Sequence, residues 1–267
     1  MQYKLIACDM DGTLLDPNRE ISPGNLAAIR KVLDLGVIFT ISTGRPVQAA
    51  QRYQEVLQLK TPIITYNGGM IVTPDGDEVL YERNLDPKAA AEVIRLGHKL
   101  GAPQNIWSEN RLYSLHADIW SIGYAGFAKE ELHVIKESEI DQIAAQGIAK
   151  ILWYDELPKV EAYQETLRQT DLEHVHFFTS SPDFLEIVDS RVSKATALQF
   201  LGEYHGISPA EMIAIGDGMN DISMLEYAGL AIAMENAPDA VKAVADWITR
   251  SNTEDGVAYA LEKYVLT

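Results

Sequence analysis

Two aspartates, Asp9 and Asp11, stand two residues apart directly after the apolar run Leu5-Ile6-Ala7-Cys8, in the stretch Asp9-Met10-Asp11-Gly12-Thr13-Leu14. A run apolar on both faces reads as a buried strand of a parallel sheet. Open sheets of that kind bind ligands just beyond the carboxyl ends of their strands. Carboxylates this close repel each other, and one would keep its proton unless a cation lay between them; hard oxygen donors suit magnesium. Taken alone, the pair also fits an acidic turn, since Asp and Gly dominate turns and Thr13 offers a hydroxyl to tie the bend back.

Three more groups fall at ends of apolar elements. Thr43-Gly44-Arg45 closes the run Val37-Ile38-Phe39-Thr40-Ile41-Ser42, Lys194 opens a helix, and Gly216-Asp217-Gly218-Met219-Asn220-Asp221 follows Met212-Ile213-Ala214-Ile215. The first could be a turn and the second a solvated lysine. Two glycines, an amide and two acids after a buried strand are a costly collection for mere turning. As a set they suit phosphoryl transfer, in which a carboxylate attacks phosphorus and splits one hard displacement into two easier ones. Asp9 is the expected nucleophile. Asp11 is the expected acid and base, giving a proton to the leaving alcohol and later taking one from water. Magnesium is expected among Asp9, Asp11 and Asp217, with the backbone carbonyl of Asp11 or Met10 as a further ligand. Charge on the phosphoryl oxygens calls for preorganised donors. The expected phosphate contacts are the Met10 backbone, the Thr43 hydroxyl, the Gly44 N–H, the Lys194 ammonium and the Asn220 amide. Arg45 and Asp221 stand behind these, Asp221 holding Lys194 or water on the metal.

The elements that must carry these groups can be traced along the chain. Ser22-Pro23 opens a helix that Gly36 stops, Val47 to Leu57 reads as a second helix, and Pro62 to Tyr66 as a third strand. Strand, helix, strand, helix, strand implies right-handed parallel crossovers. Asn67-Gly68-Gly69 and Thr73-Pro74-Asp75-Gly76-Asp77 then turn the chain through a hairpin. From about Leu85 the grammar changes. A helix from Pro87 to Leu100 is followed by short aromatic strands at Trp107-Ser108-Glu109 and Arg111-Leu112-Tyr113. A strand from Ile148 to Tyr154, a helix near Pro158 to Gln169 and a strand from His174 to Ser180 come next. The parallel grammar returns with a helix from Ser193 to His205, closed by Gly206. A capping box at Ser208-Pro209-Ala210-Glu211 comes before the strand from Met212 to Ile215, a helix to Ala228, strands at Leu230 to Ala233 and Trp247 to Thr249, and a last helix from Gly256. The expected fold class is α/β, with a Rossmann-like parallel-sheet core over residues 1–84 and 189–267 and an α+β lid inserted over 85–188.

Composition sets the bounds. The 267 residues carry a formal charge of −17 and no Lys/Arg run, which argues against nucleic acid as a partner. An anionic substrate in so acidic a protein again calls for a metal and a few placed cations. The single cysteine, Cys8, allows no intrachain disulfide and reads as core packing in a reducing compartment. The chain reaches its acid pair at residue 9, which is expected to leave no room for a signal peptide. No apolar stretch nears the roughly twenty residues that span a bilayer. A cytoplasmic location without a membrane partner is expected.

In order and content the motifs resemble the haloacid dehalogenase superfamily. Asp9 to Leu15, Ser42-Thr43-Gly44-Arg45-Pro46, Asn67-Gly68-Gly69, Val192-Ser193-Lys194 and Ile215 to Leu225 are similar to the Cof-type, subclass IIB phosphatases. Asp189-Ser190-Arg191 and Ala195 depart from the usual surroundings of the lysine. The resemblance implies a small phosphorylated metabolite, typically a sugar phosphate, as substrate, Mg2+ as cofactor, and a monomer or weak homodimer. The lid is then expected to read the leaving group, through stacking faces among Trp107, Tyr113, His116, Trp120 and Tyr124 and hydrogen bonds from Asn105, Glu109 and Asn110. Its hinges are expected near Arg83-Asn84 and over 181–191. A phosphomutase would keep the same aspartyl phosphate. A phospho-receiver module would also combine acids, a Ser/Thr and a Lys on a parallel sheet, but needs no lid.

Overall fold

Leu5-Ile6-Ala7-Cys8 forms strand β1 (Leu5–Cys8), buried along its whole length, in the computed structural model, which describes residues 2–266. It is followed by α1 (Pro23–Asp34), β2 (Ile38–Ile41), α2 (Val47–Leu57), β3 (Ile63–Thr65), β4 (Met70–Val72) and β5 (Val79–Glu82). Next come α3 (Pro87–Leu100), β6 (Gln104–Ser108), β7 (Arg111–Ser114), α4 (Ile119–Ala128), β8 (Leu132–Val134), α5 (Ile140–Gln146) and β9 (Ile148–Tyr154). The chain continues through α6 (Leu157–Arg168), β10 (Val175–Ser181), β11 (Phe184–Asp189), α7 (Lys194–His205), β12 (Met212–Gly216) and α8 (Ile222–Tyr227). It ends with β13 (Leu230–Ala233), α9 (Asp239–Lys242), β14 (Trp247–Ile248) and α10 (Gly256–Tyr264). Met1–Arg45, Ala50–Tyr81 and Ser193–Thr267 make one unit, and Pro46–Ala49 with Glu82–Val192 make another.

In the first unit the parallel strands run in the order β14-β13-β12-β1-β2. Cys8 pairs with Ile215 on one side and with Ile41 on the other. The residues that follow these three therefore emerge at one level of the sheet: Asp9, Ser42 and Gly216. Two hydrogen bonds carry the ladder one step further, from Asp9 N–H to the Ile215 carbonyl (2.9 Å) and from Ser42 N–H to the Cys8 carbonyl (2.9 Å). Helix α1 is capped by the Ser22 hydroxyl, which accepts from Asn25 N–H, and begins with Pro23, whose missing N–H costs nothing there. One expectation is corrected. Strand β3 joins the parallel sheet only through a bridge between Ser42 and Ile64, then reverses at Tyr66-Asn67-Gly68 to pair antiparallel with β4 in a three-stranded sheet, β3-β4-β5.

The second unit holds a six-stranded sheet in the order β10-β11-β9-β6-β7-β8, antiparallel except for β7 beside β8. Ile106, Ile151, Trp153, Leu185 and Ile187 form a core with Ile94 of α3, Ile143 of α5 and Val160 of α6. Helices α4 and α5 escaped the sequence reading. The first, Ile-Trp-Ser-Ile-Gly-Tyr-Ala-Gly-Phe-Ala, is apolar around most of its circumference and carries two glycines, so no polar stripe marks a helical period. Its start is set by Asp118, which accepts from Ser121 N–H (2.8 Å). Glu109, read above as strand, sits with Asn110 in the β6–β7 turn, both at positive φ (47° and 57°). Residues 184–189, part of the expected second hinge, instead form β11 of the sheet. Among the described residues no helix is long and apolar enough to cross a membrane.

Candidate active site

Lys194 is the first residue of α7, where the helix dipole disfavours a cation, and its side chain is fully buried. Its ammonium donates to Asp9 Oδ1 (2.5 Å), to the Ser42 carbonyl (2.9 Å) and to Asp221 Oδ1. Burial pushes the ammonium down in pKa, but the Asp221 and Asp9 carboxylates outweigh it and hold Lys194 above the ordinary lysine value. Asp9 lies well above the usual carboxylate range, raised first by burial and then by Asp221, with Lys194 pulling the other way. One buried cation thus ties together the ends of β1 and β2, the start of α7 and the loop after β12.

Asp221 also organises that last loop, since its Oδ2 accepts from the N–H groups of Asp217 (2.9 Å) and Gly218 (2.8 Å). The Asp217 carboxyl, in turn, accepts from Thr13 Oγ1 (2.6 Å) and rests against Gly12. A Cβ on Gly12 would lie 2.2 Å from Asp217 Oδ2, and φ of +84° already disfavours any other residue. Burial pushes the Asp217 carboxyl up to about 6, the Thr13 hydrogen bond lowering it and Asp221 raising it. Carboxylate oxygens of Asp9, Asp217 and Asp221 lie within 4.8 Å of one another. Three acids share one lysine there, so the cluster carries excess negative charge, and its donors are all hard oxygens. Both features fit a magnesium ion.

Asp11 departs from its expected place in the metal set. Its carboxylate faces Arg45, which grips it with two donors, Nε to Oδ2 (2.7 Å) and Nη2 to Oδ1. The bidentate guanidinium match explains why the side chain turns away from the acidic cluster. The Met10 carbonyl is occupied as well, accepting from Thr13 N–H (3.3 Å) and Leu15 N–H (2.9 Å). Thr43 Oγ1 accepts from Arg45 N–H (3.1 Å), and Asn220 Nδ2 donates to Asn67 Oδ1 (2.8 Å). Cys8 is fully buried, its thiol pushed up by burial and by Asp9, in keeping with a packing role.

Three residues were not foreseen as part of this arrangement. Asn236 and Asn252 donate to the Gly12 and Leu15 carbonyls and clip the loop that follows Asp11. Nothing local in the sequence marks them, as the contacts join residues more than 200 positions apart. Asn67 was visible as a turn residue and in the run Asn67-Gly68-Gly69 that resembles the Cof-type phosphatases, but with no role in the site. Its neighbour Gly68, at φ +97°, passes so close to the start of α7 that an added Cβ would lie 2.1 Å from the Ser193 carbonyl oxygen. Gly68→Ala is therefore expected to displace Lys194, costing more than about 1 kcal/mol of stability and most of the activity. Thermal unfolding and turnover of the variant check this; wild-type values for both would contradict it.

In the second unit Trp107 is fully buried and its indole N–H donates to Tyr124 O–H (3.2 Å), while Trp120 packs edge-on against Tyr154 with centroids 4.7 Å apart. Tyr113 lies against His133 and His116 against His98. Asn105 is buried with neither amide atom partnered. The departure before the lysine is closed locally. Arg191 donates from Nε and Nη2 to the two oxygens of Asp189 (2.8 and 2.7 Å).

Comparison with known proteins gives this arrangement a family. The sequence profile of the haloacid dehalogenase-like hydrolases matches residues 6–261. YcsE of Bacillus subtilis, a 5-amino-6-(5-phospho-D-ribitylamino)uracil phosphatase, is 34% identical over 100% of this chain and 97% of its own. The structure of TM0651 from Thermotoga maritima matches with a TM-score of 0.86 at 30% identity, covering 98% of this chain and 97% of that one. The HAD subclass IIB sugar phosphatase BT4131 has the same fold, with a TM-score of 0.84 at 23% identity over 99% of this chain and 100% of its own. The chain belongs to the haloacid dehalogenase-like hydrolases and has the fold of subclass IIB. It is an enzyme, a phosphoric monoester hydrolase.

Proposed function

We propose that this enzyme hydrolyses small phosphomonoesters of sugars or related polyols, with magnesium, through an aspartyl phosphate on Asp9. The observation that carries the reading is the buried Lys194 ammonium bound at once to Asp9, Asp221 and the Ser42 carbonyl. A lysine so placed screens the nucleophile from its acidic neighbours and supplies positive charge where phosphoryl oxygens arrive. Asp9 attacks phosphorus as the bond to the leaving alcohol breaks, and Asp11, released from Arg45, gives that alcohol a proton. Water then attacks the aspartyl phosphate, Asp11 takes its proton, and the bond from phosphorus to Asp9 breaks to free inorganic phosphate. Thr43, Gly44, Lys194 and Asn220 donate to the phosphoryl oxygens.

Asp9, Asp217 and the Asp11 carbonyl would hold magnesium, the Met10 carbonyl being engaged by Thr13 and Leu15. When bound, the ion neutralises charge between the attacking carboxylate and the phosphoryl oxygens. The expected dependence on pH follows from Asp217. Its value in the fold, about 6, lies above the roughly 3.9 of an unfolded chain, so the metal-free fold loses stability as pH rises through about 6. A cation that binds the deprotonated form should reverse that loss. The rise in Tm produced by magnesium over chelator is thus expected to grow between about pH 5 and about pH 7.5. A rise of equal size at both pH values would contradict this assignment.

A polyol or sugar phosphate as substrate is supported by the family and by YcsE, whose named substrate is a phosphorylated ribityl chain. A single, fully buried cysteine fits a cytoplasmic setting. The test is phosphate release from a panel of hexose, pentose and ribityl phosphates, with magnesium and with chelator. Turnover to free alcohol and phosphate that chelator abolishes is expected. Undiminished turnover in chelator would overturn the metal's part, and recovery of an isomeric sugar phosphate would turn the reading to a mutase.

A further inference from the structure

The turn Tyr66-Asn67-Gly68 runs through three consecutive positive φ angles, 51°, 58° and 97°. Left-handed backbone is tolerated by Asn and Gly but costs about 1 kcal/mol or more at other residues, so a run that includes Tyr66 persists only if its surroundings hold it. Those surroundings include three of the motifs described above. Asn67 N–H donates to the Thr43 carbonyl (3.0 Å), and the Asn67 amide lies where a Cβ on Gly44 would be, 2.7 Å from Oδ1. Gly68 lies against the Ser193 carbonyl and the Lys194 N–H at the start of α7. Asn67 Oδ1 accepts from Asn220 Nδ2 (2.8 Å), with the Asn67 side chain only 4% exposed.

We propose that Asn67 is a positioning residue for phosphoryl recognition, its side-chain amide fixing the Asn220 amide while its left-handed turn joins Thr43, Gly44 and Lys194 into one cradle. The inference rests on the role assigned above to Asn220. An amide of Asn has a donor end and an acceptor end of nearly equal shape, and an isolated Asn220 could present either. A carbonyl oxygen from Asn67 selects the nitrogen end. One hydrogen of Nδ2 is thereby spent on Asn67, and the second remains for a phosphoryl oxygen. With the opposite end presented, an oxygen lone pair would meet the anion and repel it.

Asn67→Gly separates the side chain from the backbone, since Gly adopts the same left-handed angles without strain. With a ribityl or hexose phosphate as substrate, Asn220→Ala is expected to lower kcat/KM on the order of 100-fold. Asn67→Gly should lower it roughly tenfold. The double variant should be no worse than Asn220→Ala alone, because Asn67 acts through Asn220. Asn67→Asp keeps an acceptor oxygen towards Asn220, so kcat should return towards wild type while KM stays raised by the added charge. Wild-type kinetics in Asn67→Gly, or losses that multiply in the double variant, would overturn the inference. If Asn67→Gly does not fold, Asn67→Asp decides alone: kcat as low as that of Asn220→Ala counts against it. Asn220→Ala with wild-type kinetics would instead remove Asn220 from the proposed function and leave the cradle without a donor to position.

Discussion

Asn in place of Asp9 is expected to lower turnover of any phosphomonoester by at least about 10^4-fold while the protein stays folded. The amide matches the carboxylate in shape, so packing at the end of β1 is kept, and the backbone hydrogen bond from residue 9 to Ile215 does not involve the side chain. On the proposed mechanism, what is lost is the oxygen that attacks phosphorus. The fold should in fact tolerate the change well, because burial and the Asp221 carboxylate already disfavour a charge on Asp9. Removing its charge leaves Lys194 still paired with Asp221. Far-UV circular dichroism and a melting curve would establish the fold, and a phosphate-release assay the loss. Residual turnover within tenfold of wild type would place the nucleophile elsewhere.

Lys194→Met carries the second large expected effect, and its signature differs. Methionine fills much the same volume, yet the substitution leaves Asp9 and Asp221 buried and facing each other without their common cation. Breaking a buried ion pair on one side typically costs about 3–5 kcal/mol. A large fall in Tm should accompany loss of activity. The sign with pH is distinctive. The orphaned carboxylates hold protons more tightly in the fold than in the unfolded chain, so the destabilisation should shrink as pH falls towards about 5. Tm measured across pH for the variant and wild type checks this. Equal stability of the two proteins at neutral pH would show that Lys194 does not carry the charge balance of the site.

The contrast between these substitutions reflects how different parts of the site came to be legible. Asp9, Thr43 and Asp217 each end a short buried strand, and parallel strands deliver their ends to one edge, so their convergence follows from local pattern and sheet geometry. Lys194 joined the set as a cation at a helix start, weakly on its own since a helix-opening lysine is usually solvated, and more firmly through the family resemblance. Full burial against two carboxylates settles its place. The partner of Asp11 was not legible, because nothing in Thr43-Gly44-Arg45 says which way a guanidinium 34 residues away will point. The capture of its carboxylate by Arg45 is a tertiary choice. So are the clips from Asn236 and Asn252, whose amides are common turn residues until the fold brings them to the loop after Asp11.

The same division runs through the fold. Helices with a polar cap and a stop, such as α1 with Ser22 and α7 with Ser193 and Gly206, could be bounded from residue types alone. Helix α4 could not, for its apolar surface hides the period, and it ends on Lys129 in a left-handed cap where glycine would have been a signal. Strand β3 was legible as a strand, but not as one that touches the parallel sheet through a single bridge and pairs instead in an antiparallel sheet with β4. Its short length and the tight turn at Tyr66-Asn67-Gly68 decide that. That turn was read as a hairpin turn and as part of the family resemblance, whereas the structure shows three motifs of the site leaning on it.

The most direct test of the account is to quench the wild-type enzyme in acid during turnover of a sugar phosphate with magnesium and to map phosphorylated peptides by mass spectrometry. A single phosphoryl group on the peptide carrying Asp9, absent from Asp9→Asn and discharged on return to neutral pH, is the expected result. No phosphorylated peptide across the time course of a single turnover, or a phosphoryl group on another side chain, would contradict it.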